Sequence, residues 1–435
     1  MKMFVSDCLG LNELGHLTIG GLDTVGLAQS YGTPLYVMDE GEIRRACASY
    51  RESINKYYGG RGLVAYASKA MNCRAICKLV MEEGLGLDVV SGGELYTAMS
   101  VGFPAEKLFF HGNNKTVEEL REALEYGVGN IVVDNSSELE LLNELAVSQG
   151  RTADILFRIK PGIDAHTHSF VRTGQIDSKF GFALETGEAM AAVKETLTMP
   201  GVRLRGVHCH IGSQIFELEP FELAARVMVG FIADVKAETG LELGILNLGG
   251  GFGIKYIPEH DPVEYDRYMQ SVAGVVKSVC AQRKIETPFI VIEPGRSIVG
   301  PAGITLYTVG GVKEIPGVRT YVSVDGGMGD NPRYILYQSE YEAVVANRAG
   351  DPKERTVTVA GRCCESGDLI GEHMQIQQVR PGDILAVLAT GAYNYSMASN
   401  YNRVPRPAVV LVRDGEARVA VRRESFEDLV RNDLL

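Results

Sequence analysis

The chain has 435 residues, 45% of them hydrophobic and 23% charged, which excludes a single small module and a disordered or collagen-like polymer. Forty-three basic against 55 acidic residues give a net charge of −12, a sign that repels nucleic-acid backbones and anionic lipid, and no Lys/Arg run supplies a local exception. Eight cysteines lie scattered without paired CxxC spacing, so neither a structural zinc site nor a disulfide scaffold is expected. Residues 1–10 carry no basic-then-apolar leader and no apolar run reaches the roughly 18 residues that span a bilayer, which makes the cytoplasm the expected compartment.

From residue 63 onward the chain repeats a short apolar run, a polar or Gly-containing turn and a stretch of helical periodicity. The runs are 63–68, 86–91, 107–112, 130–134, 154–160, 204–211, 245–249 and 289–293. Taking Val64, Leu87, Leu108, Ile131 and Ile155 as markers, the first intervals are 23, 21, 23 and 24 residues, the length of one strand plus one crossover helix. Eight such units predict a (β/α)8 TIM barrel, since no Gly-rich dinucleotide turn follows the first run as it would in an open doubly wound sheet. Beyond Gly295, the runs 304–309, 320–324, 342–348, 355–360, 384–389 and 408–413 are cut by Gly, Pro and Asp and read as an antiparallel β domain. Residues 35–39, ahead of a helical stretch over 40–57, are candidates to pair with it. The expected division is a barrel over 38–295 and a β domain from 1–37 and 296–435.

Barrel enzymes place chemistry at the C-terminal ends of their strands. Strand one ends Tyr66-Ala67-Ser68-Lys69, strand two Asp88-Val89-Val90-Ser91, strand six His208-Cys209-His210-Ile211-Gly212-Ser213, strand seven Asn247-Leu248-Gly249-Gly250-Gly251, and strand eight Glu293-Pro294-Gly295-Arg296. A lysine at a buried strand end loses hydration, which favours the neutral amine that condenses with an aldehyde; the plain alternative is a surface lysine opening a helix. Gly249–Gly251 with Gly253 free backbone N–H groups for an anion, although three glycines also make an ordinary tight turn. The dinucleotide pattern fails at Ile254, so a monophosphate fits better. His208 and His210 form an H-x-H pair that could hold a divalent metal with Glu293, a second reading as a metal-dependent hydrolase, but the triple glycine has no use in such a site. His166 and His168 fall in what reads as a loop after strand five, and 171–179 reads as a long insertion able to close over a ligand.

Taken in order, these motifs, continued by Asp325-Gly326-Gly327-Met328, Asn331-Pro332-Arg333 with Tyr337, Cys364-Glu365-Ser366-Gly367-Asp368 and Gly391-Ala392-Tyr393, resemble the fold-type III pyridoxal-phosphate decarboxylases, specifically the diaminopimelate decarboxylase family, over nearly the whole chain. The resemblance implies an alanine racemase/ornithine decarboxylase-like architecture and a pyridoxal 5'-phosphate (PLP) cofactor. It implies that Lys69 holds the cofactor aldehyde, His210 stacks on the pyridine ring and Glu293 pairs with the ring nitrogen. Ser213, Gly250, Gly251, Pro294, the Gly295–Arg296 backbone and Tyr393 would then complete the cofactor site. It also implies a homodimer in which the loop bearing Cys364 crosses to the neighbouring subunit as proton donor, Cys363 being the adjacent alternative thiol. Arg296, Arg333, Tyr337, Glu365 and Tyr393 would choose the substrate, arginines and tyrosines taking the distal carboxylate of meso-diaminopimelate and Glu365 its ammonium. The implied reaction is decarboxylation of meso-2,6-diaminopimelate to L-lysine, the last step of lysine biosynthesis. A decarboxylase of a carboxylated polyamine or a basic amino acid is the main competitor, and a non-catalytic binding or regulatory homologue the remote one.

Overall fold

The computed structural model describes residues 3–163 and 179–435. His166, His168 and all but Lys179 of the expected 171–179 insertion lie outside the described residues. The chain divides into two compact units, Ala46–Gly253 with Pro262–Gly295, and Met1–Arg45 with Ile254–Asp261 and Arg296–Leu435.

The first unit is the barrel. Its strands are β1 (Gly62–Ala67), β2 (Gly86–Val89), β3 (Leu108–Phe110), β4 (Asn130–Val133), β5 (Ala153–Lys160), β6 (Val202–His208), β7 (Ile245–Asn247) and β8 (Phe289–Ile292), one for each expected run. All neighbours are parallel, β8 pairs with β1, and β4 pairs with β5, so the sheet closes on itself. Leu87 stands opposite Leu108 and Ile131 opposite Ile155, so two of the sequence intervals are true register intervals; Tyr66 rather than Val64 faces Leu87. Ala65, Phe109, Val132, Leu156 and Val291 form a cluster drawn from five strands and no helix, the arrangement that side chains pointing into the lumen produce.

Helix starts are written into the loops at the mouth. Thr116 and Glu119 make a capping box ahead of Val117–Tyr126, which ends on left-handed Gly127; Ser91 and Asn135 cap the helices that follow β2 and β4. Each cap satisfies N–H groups that a helix cannot, and so fixes where the loop stops and the helix begins.

In the second unit the main sheet runs Leu369–Ile376, Arg355–Ala360, Arg319–Val324, Gly303–Ile315, Leu35–Asp39, Ala408–Arg413 and Glu416–Val421, with Ile384–Val387 pairing to Gly303–Ile315 and to Ala343–Val345. Leu35–Asp39 is buried along its length between two neighbours, a central strand as its unbroken apolar run suggests. The sheet is mostly antiparallel, with two parallel pairings that the sequence reading did not contain: Leu35–Asp39 with Ala408–Arg413, and Arg319–Val324 with Arg355–Ala360. Both join strands separated by connections long enough for a crossover. A small sheet of Leu9–Leu11, Leu17–Ile19 and Leu22–Asp23 precedes them. Leu17, Ile19, Leu35, Val37, Ile304, Leu306, Val344, Leu385 and Val410 belong to the apolar core of this unit.

Candidate active site

β1 ends at Ala67, and a single 3-10 turn, Ser68–Ala70, follows. Ser68 Oγ donates to Glu94 Oε2 at 3.0 Å, and Ala67 N donates to Pro294 O at 3.2 Å. A Cβ on Gly295 would come within 2.9 Å of Ala67, so glycine is the residue that lets the end of β8 lie against this turn. Ser68 and Ala70 are buried, but Lys69 is exposed. The expectation of a lysine desolvated by the barrel wall is thus corrected: the tight turn lifts the side chain off the strand and into the open mouth.

Glu293 is the best-held side chain of the mouth. His111 Nε2 lies 2.7 Å from Oε1, Asn247 Nδ2 donates to the same oxygen at 2.6 Å, and His208 Nε2 lies 3.1 Å from Oε2. All four residues are buried. Burial alone would raise the Glu293 carboxyl, yet His111 and His208 outweigh it and hold the group well below the usual carboxylate range. Burial pulls His208 down to about 4 against the pull of Glu293, and lowers His210 further. Asp88, at the end of β2 and 3.8 Å from His111 Nε2, is pushed up to about 6, chiefly by burial.

The loops after β6 and β7 are zipped together. Ile215 N donates to Gly251 O, Gly253 N donates to Ile215 O, and Ile215 and Phe252 form a parallel bridge. Added Cβ atoms would strike Cys209 O at 2.5 Å from Gly249, Glu293 O at 2.2 Å from Gly250 and Gly212 O at 2.6 Å from Gly251. His210 packs on Gly249, its Nδ1 3.1 Å from that Cβ position. The amides of Gly250 and Gly251 donate to no acceptor among the described residues. Unengaged N–H groups in a loop without Cβ atoms suit a phosphate, and a mouth that also holds an accessible lysine amine and an ionised buried carboxylate fits pyridoxal 5'-phosphate. Ser213 stands in the same turn, half-buried.

In the second unit, Arg296, Arg333, Tyr337 and Tyr393 come together. The Arg296 and Arg333 guanidinium carbons lie 4.7 Å and 5.1 Å from the Tyr393 ring centre, and Arg333 lies 5.3 Å from that of Tyr337. Arg296 donates to Tyr256 Oη, Tyr256 packs edge-on against Tyr341, and both arginines are buried. Arg333 pairs with no carboxylate among the described residues; its Nη2 donates to Ser339 Oγ at 3.2 Å and its buried Nε has no partner. Cys364 and Glu365 are exposed on the 361–368 loop, in which a Cβ on Gly367 would come within 3.0 Å of Ile335. Asp368 organises that loop, accepting from Met328 N and Cys363 N, and leaves Cys363 half-buried with its thiol raised to about 11, chiefly by burial and then by Asp368.

Four residues that reach these clusters are missing from the sequence reading as site residues. His111 and Arg158, the latter mostly buried and acting electrostatically on Glu293 and Asp88, stand at or near the ends of β3 and β5, strand ends that yield to the same inspection as the other five. Tyr256 and Tyr341 carry no such signal, because their role depends on packing between distant segments. The H-x-H pair does not act as a joint ligand set: His208 is turned to Glu293 and His210 to Gly249. His111, His208 and Glu293 bring donor atoms within 4.8 Å of one another, but both imidazole Nε2 atoms address the carboxylate itself.

Residues 40–300 match the family described as "Pyridoxal-dependent decarboxylase, pyridoxal binding domain". The chain is 51% identical over 432 residues to the diaminopimelate decarboxylase of Bacillus subtilis (strain 168), covering 99% of this chain and 98% of that protein. It is 46% identical to that of Synechocystis sp., covering 98% and 92%. A crystal structure of the diaminopimelate decarboxylase from M. jannaschii in complex with L-lysine superposes with a TM-score of 0.91 at 38% identity, over 99% of this chain and 98% of that one. The barrel and its mouth are those of a pyridoxal-dependent decarboxylase. Within that class, the chain belongs to the diaminopimelate decarboxylase family.

Proposed function

We infer that this chain decarboxylates meso-2,6-diaminopimelate to L-lysine and carbon dioxide, the last step of lysine biosynthesis, with pyridoxal 5'-phosphate as cofactor. The observation that carries the reading is likeness to diaminopimelate decarboxylases along the whole chain. Once bound, the cofactor supplies the sink for the electron pair left when the substrate carboxylate departs as carbon dioxide.

The chain's own residues orient, bind and move protons. The Lys69 amine would hold the cofactor aldehyde, and His210 would support the ring. The Glu293 carboxylate would hold a proton at the ring nitrogen. Ser213, the amides of Gly250 and Gly251, and the 294–296 backbone take the phosphate, with Tyr393. Arg296, Arg333 and Tyr337 receive the distal carboxylate, for which a buried guanidinium without an acidic partner is well suited.

Cys364 Sγ gives a proton to the carbon that has lost its carboxylate. Because Cys364 and Glu365 are exposed in their own chain, we assign them to the site of a second copy in a homodimer, Glu365 taking the distal ammonium. No helix among the described residues is long and apolar enough to cross a membrane, and the reaction is assigned to the cytoplasm.

The test is carbon dioxide and L-lysine formation from meso-diaminopimelate by the PLP-loaded protein, beside lysine, ornithine and a carboxylated polyamine. Equal turnover of any of these three overturns the substrate assignment.

A further inference from the structure

Glu293 carries more hydrogen-bond donors than an acid needs for solvation alone, and their distribution is unequal. An ionised carboxylate offers about two acceptor positions on each oxygen. His111 Nε2 at 2.7 Å and Asn247 Nδ2 at 2.6 Å use both positions of Oε1, whereas Oε2 meets His208 Nε2 at 3.1 Å. One acceptor position therefore remains, and it is on Oε2. The amide of Asn247 cannot turn over without loss, because its Oδ1 accepts the Gly249 N–H at 2.9 Å.

A carboxylate only accepts hydrogen bonds, so each imidazole must present a proton on Nε2. The Nδ1 of His208 is buried without a partner, which is tolerable for a lone pair and costly for an N–H. His208 is thus the neutral Nε2–H tautomer, donating to Glu293 without adding charge. The charged or titratable groups around this carboxylate come from five strand ends: Lys69 after β1, Asp88 on β2, His111 after β3, Arg158 on β5, and His208, Cys209 and His210 at β6. Of these, His111 and His208 are the two that bond the carboxylate.

We propose that His111 and His208 are positioning residues that keep Glu293 ionised and aim its one remaining acceptor site, on Oε2, at the cofactor's ring nitrogen. The proposal rests on the reading that Glu293 faces that nitrogen. His111 with Asn247 blocks Oε1, so the ring can be served from Oε2 only. His208 holds Oε2 from the other side, so the angle of approach is set before the cofactor arrives. Neither histidine touches the substrate; both act through Glu293.

The experiment uses holoenzyme loaded with cofactor labelled with 15N at the ring nitrogen. In the wild type the nitrogen signal sits at the protonated position from pH 6 to 9. In His111→Leu and His208→Leu it moves toward the free-base position at the same pH, and His111→Gln and His208→Gln, which retain an amide donor, bring it back. Leucine variants that bind cofactor and leave the signal in place overturn the proposal while the role of Glu293 stands. A wild-type nitrogen that is unprotonated removes the role of Glu293 itself, and the proposal with it. Should the leucine variants fail to fold, neutron diffraction from the deuterated wild-type holoenzyme decides: deuterium on Nε2 and none on Nδ1 of His208 is expected, and the reverse overturns the clamp.

Discussion

The amide of Cys364 donates to Asn402 Oδ1 at 2.8 Å, across 38 residues of chain, while the amide of its neighbour Cys363 donates to Asp368 Oδ2 at 2.7 Å. Two adjacent peptide groups are thus held by two side chains, and the exposed thiol is presented on a fixed turn. Gly361 and Gly327 make room for this, since a Cβ on either would fall within 2.4 Å of the Asp368 carboxylate.

Asn402→Ala should loosen the turn without unfolding the protein. A neutral hydrogen bond contributes about 1 kcal/mol, so kcat for carbon dioxide release should fall about fivefold with KM little changed. An unchanged kcat would mean that the placement of Cys364 does not depend on this bond.

Lys69→Ala should abolish turnover and the cofactor that borohydride fixes covalently to the protein. If the glycine loop takes the phosphate as proposed, the variant should still take up cofactor that dialysis removes. Mass spectrometry after reduction provides the measurement, and wild-type labelling in the variant would place the attachment on another residue.

Mixing inactive Lys69→Ala with inactive Cys364→Ala under conditions of subunit exchange should restore roughly a quarter of wild-type activity, since half of randomly formed dimers are mixed and each mixed dimer has one complete site. No recovery, with exchange confirmed independently, would return Cys364 to the site of its own subunit.

Arg333→Ala removes a buried guanidinium that ties Tyr337, Tyr393 and Ser339 together. With a charge-assisted bond contributing about 1.5–3 kcal/mol, kcat/KM for diaminopimelate should drop at least about tenfold. The penalty against lysine, which lacks the distal carboxylate, should shrink. Retained preference for diaminopimelate would exclude this arginine from substrate recognition.

Asp330 is buried, accepts from Tyr307 Oη and from Gly327 N, and is raised to about 7, chiefly by burial. The folded state therefore holds this proton over a range where the unfolded chain, with its ordinary carboxylate near pH 4, has released it. Its contribution to stability is fully present below about pH 4 and is lost as pH rises toward 7, a change on the order of a few kcal/mol. Urea unfolding of the wild type and of Asp330→Asn between pH 4 and 7 should show a shallower fall with pH in the variant. Parallel curves would show that Asp330 does not titrate in this window.

The barrel is legible in the sequence because each of its strands is a short apolar run ended by a polar or glycine turn, and Leu87 and Leu108 even stand in register. Leu369–Ile376 is hidden by different physics: His373 takes a φ of 55° and the pairing with Arg355–Ala360 shifts register twice, so the alternation of a strand is broken. Glu416–Val421 is an exposed edge with little apolar contrast between its faces. At the site, the motif residues are legible one strand end at a time. Their sideways partners are not: nothing in the spacing between His111 and Glu293, 182 residues apart, announces a hydrogen bond of 2.7 Å.

Glu293 sits on the loop after β8, yet its donors arrive from the ends of β3, β6 and β7. His111 belongs to the first four strands and the other three residues to the last four, so neither half-barrel alone contains the clamp. Ionisation of this acid is consequently a reporter of ring closure. A nascent chain that has made only β1–β4, or a fragment beginning at β5, carries recognisable motifs but lacks a finished carboxylate clamp, and tight cofactor capture should follow the meeting of the two halves during folding rather than precede it.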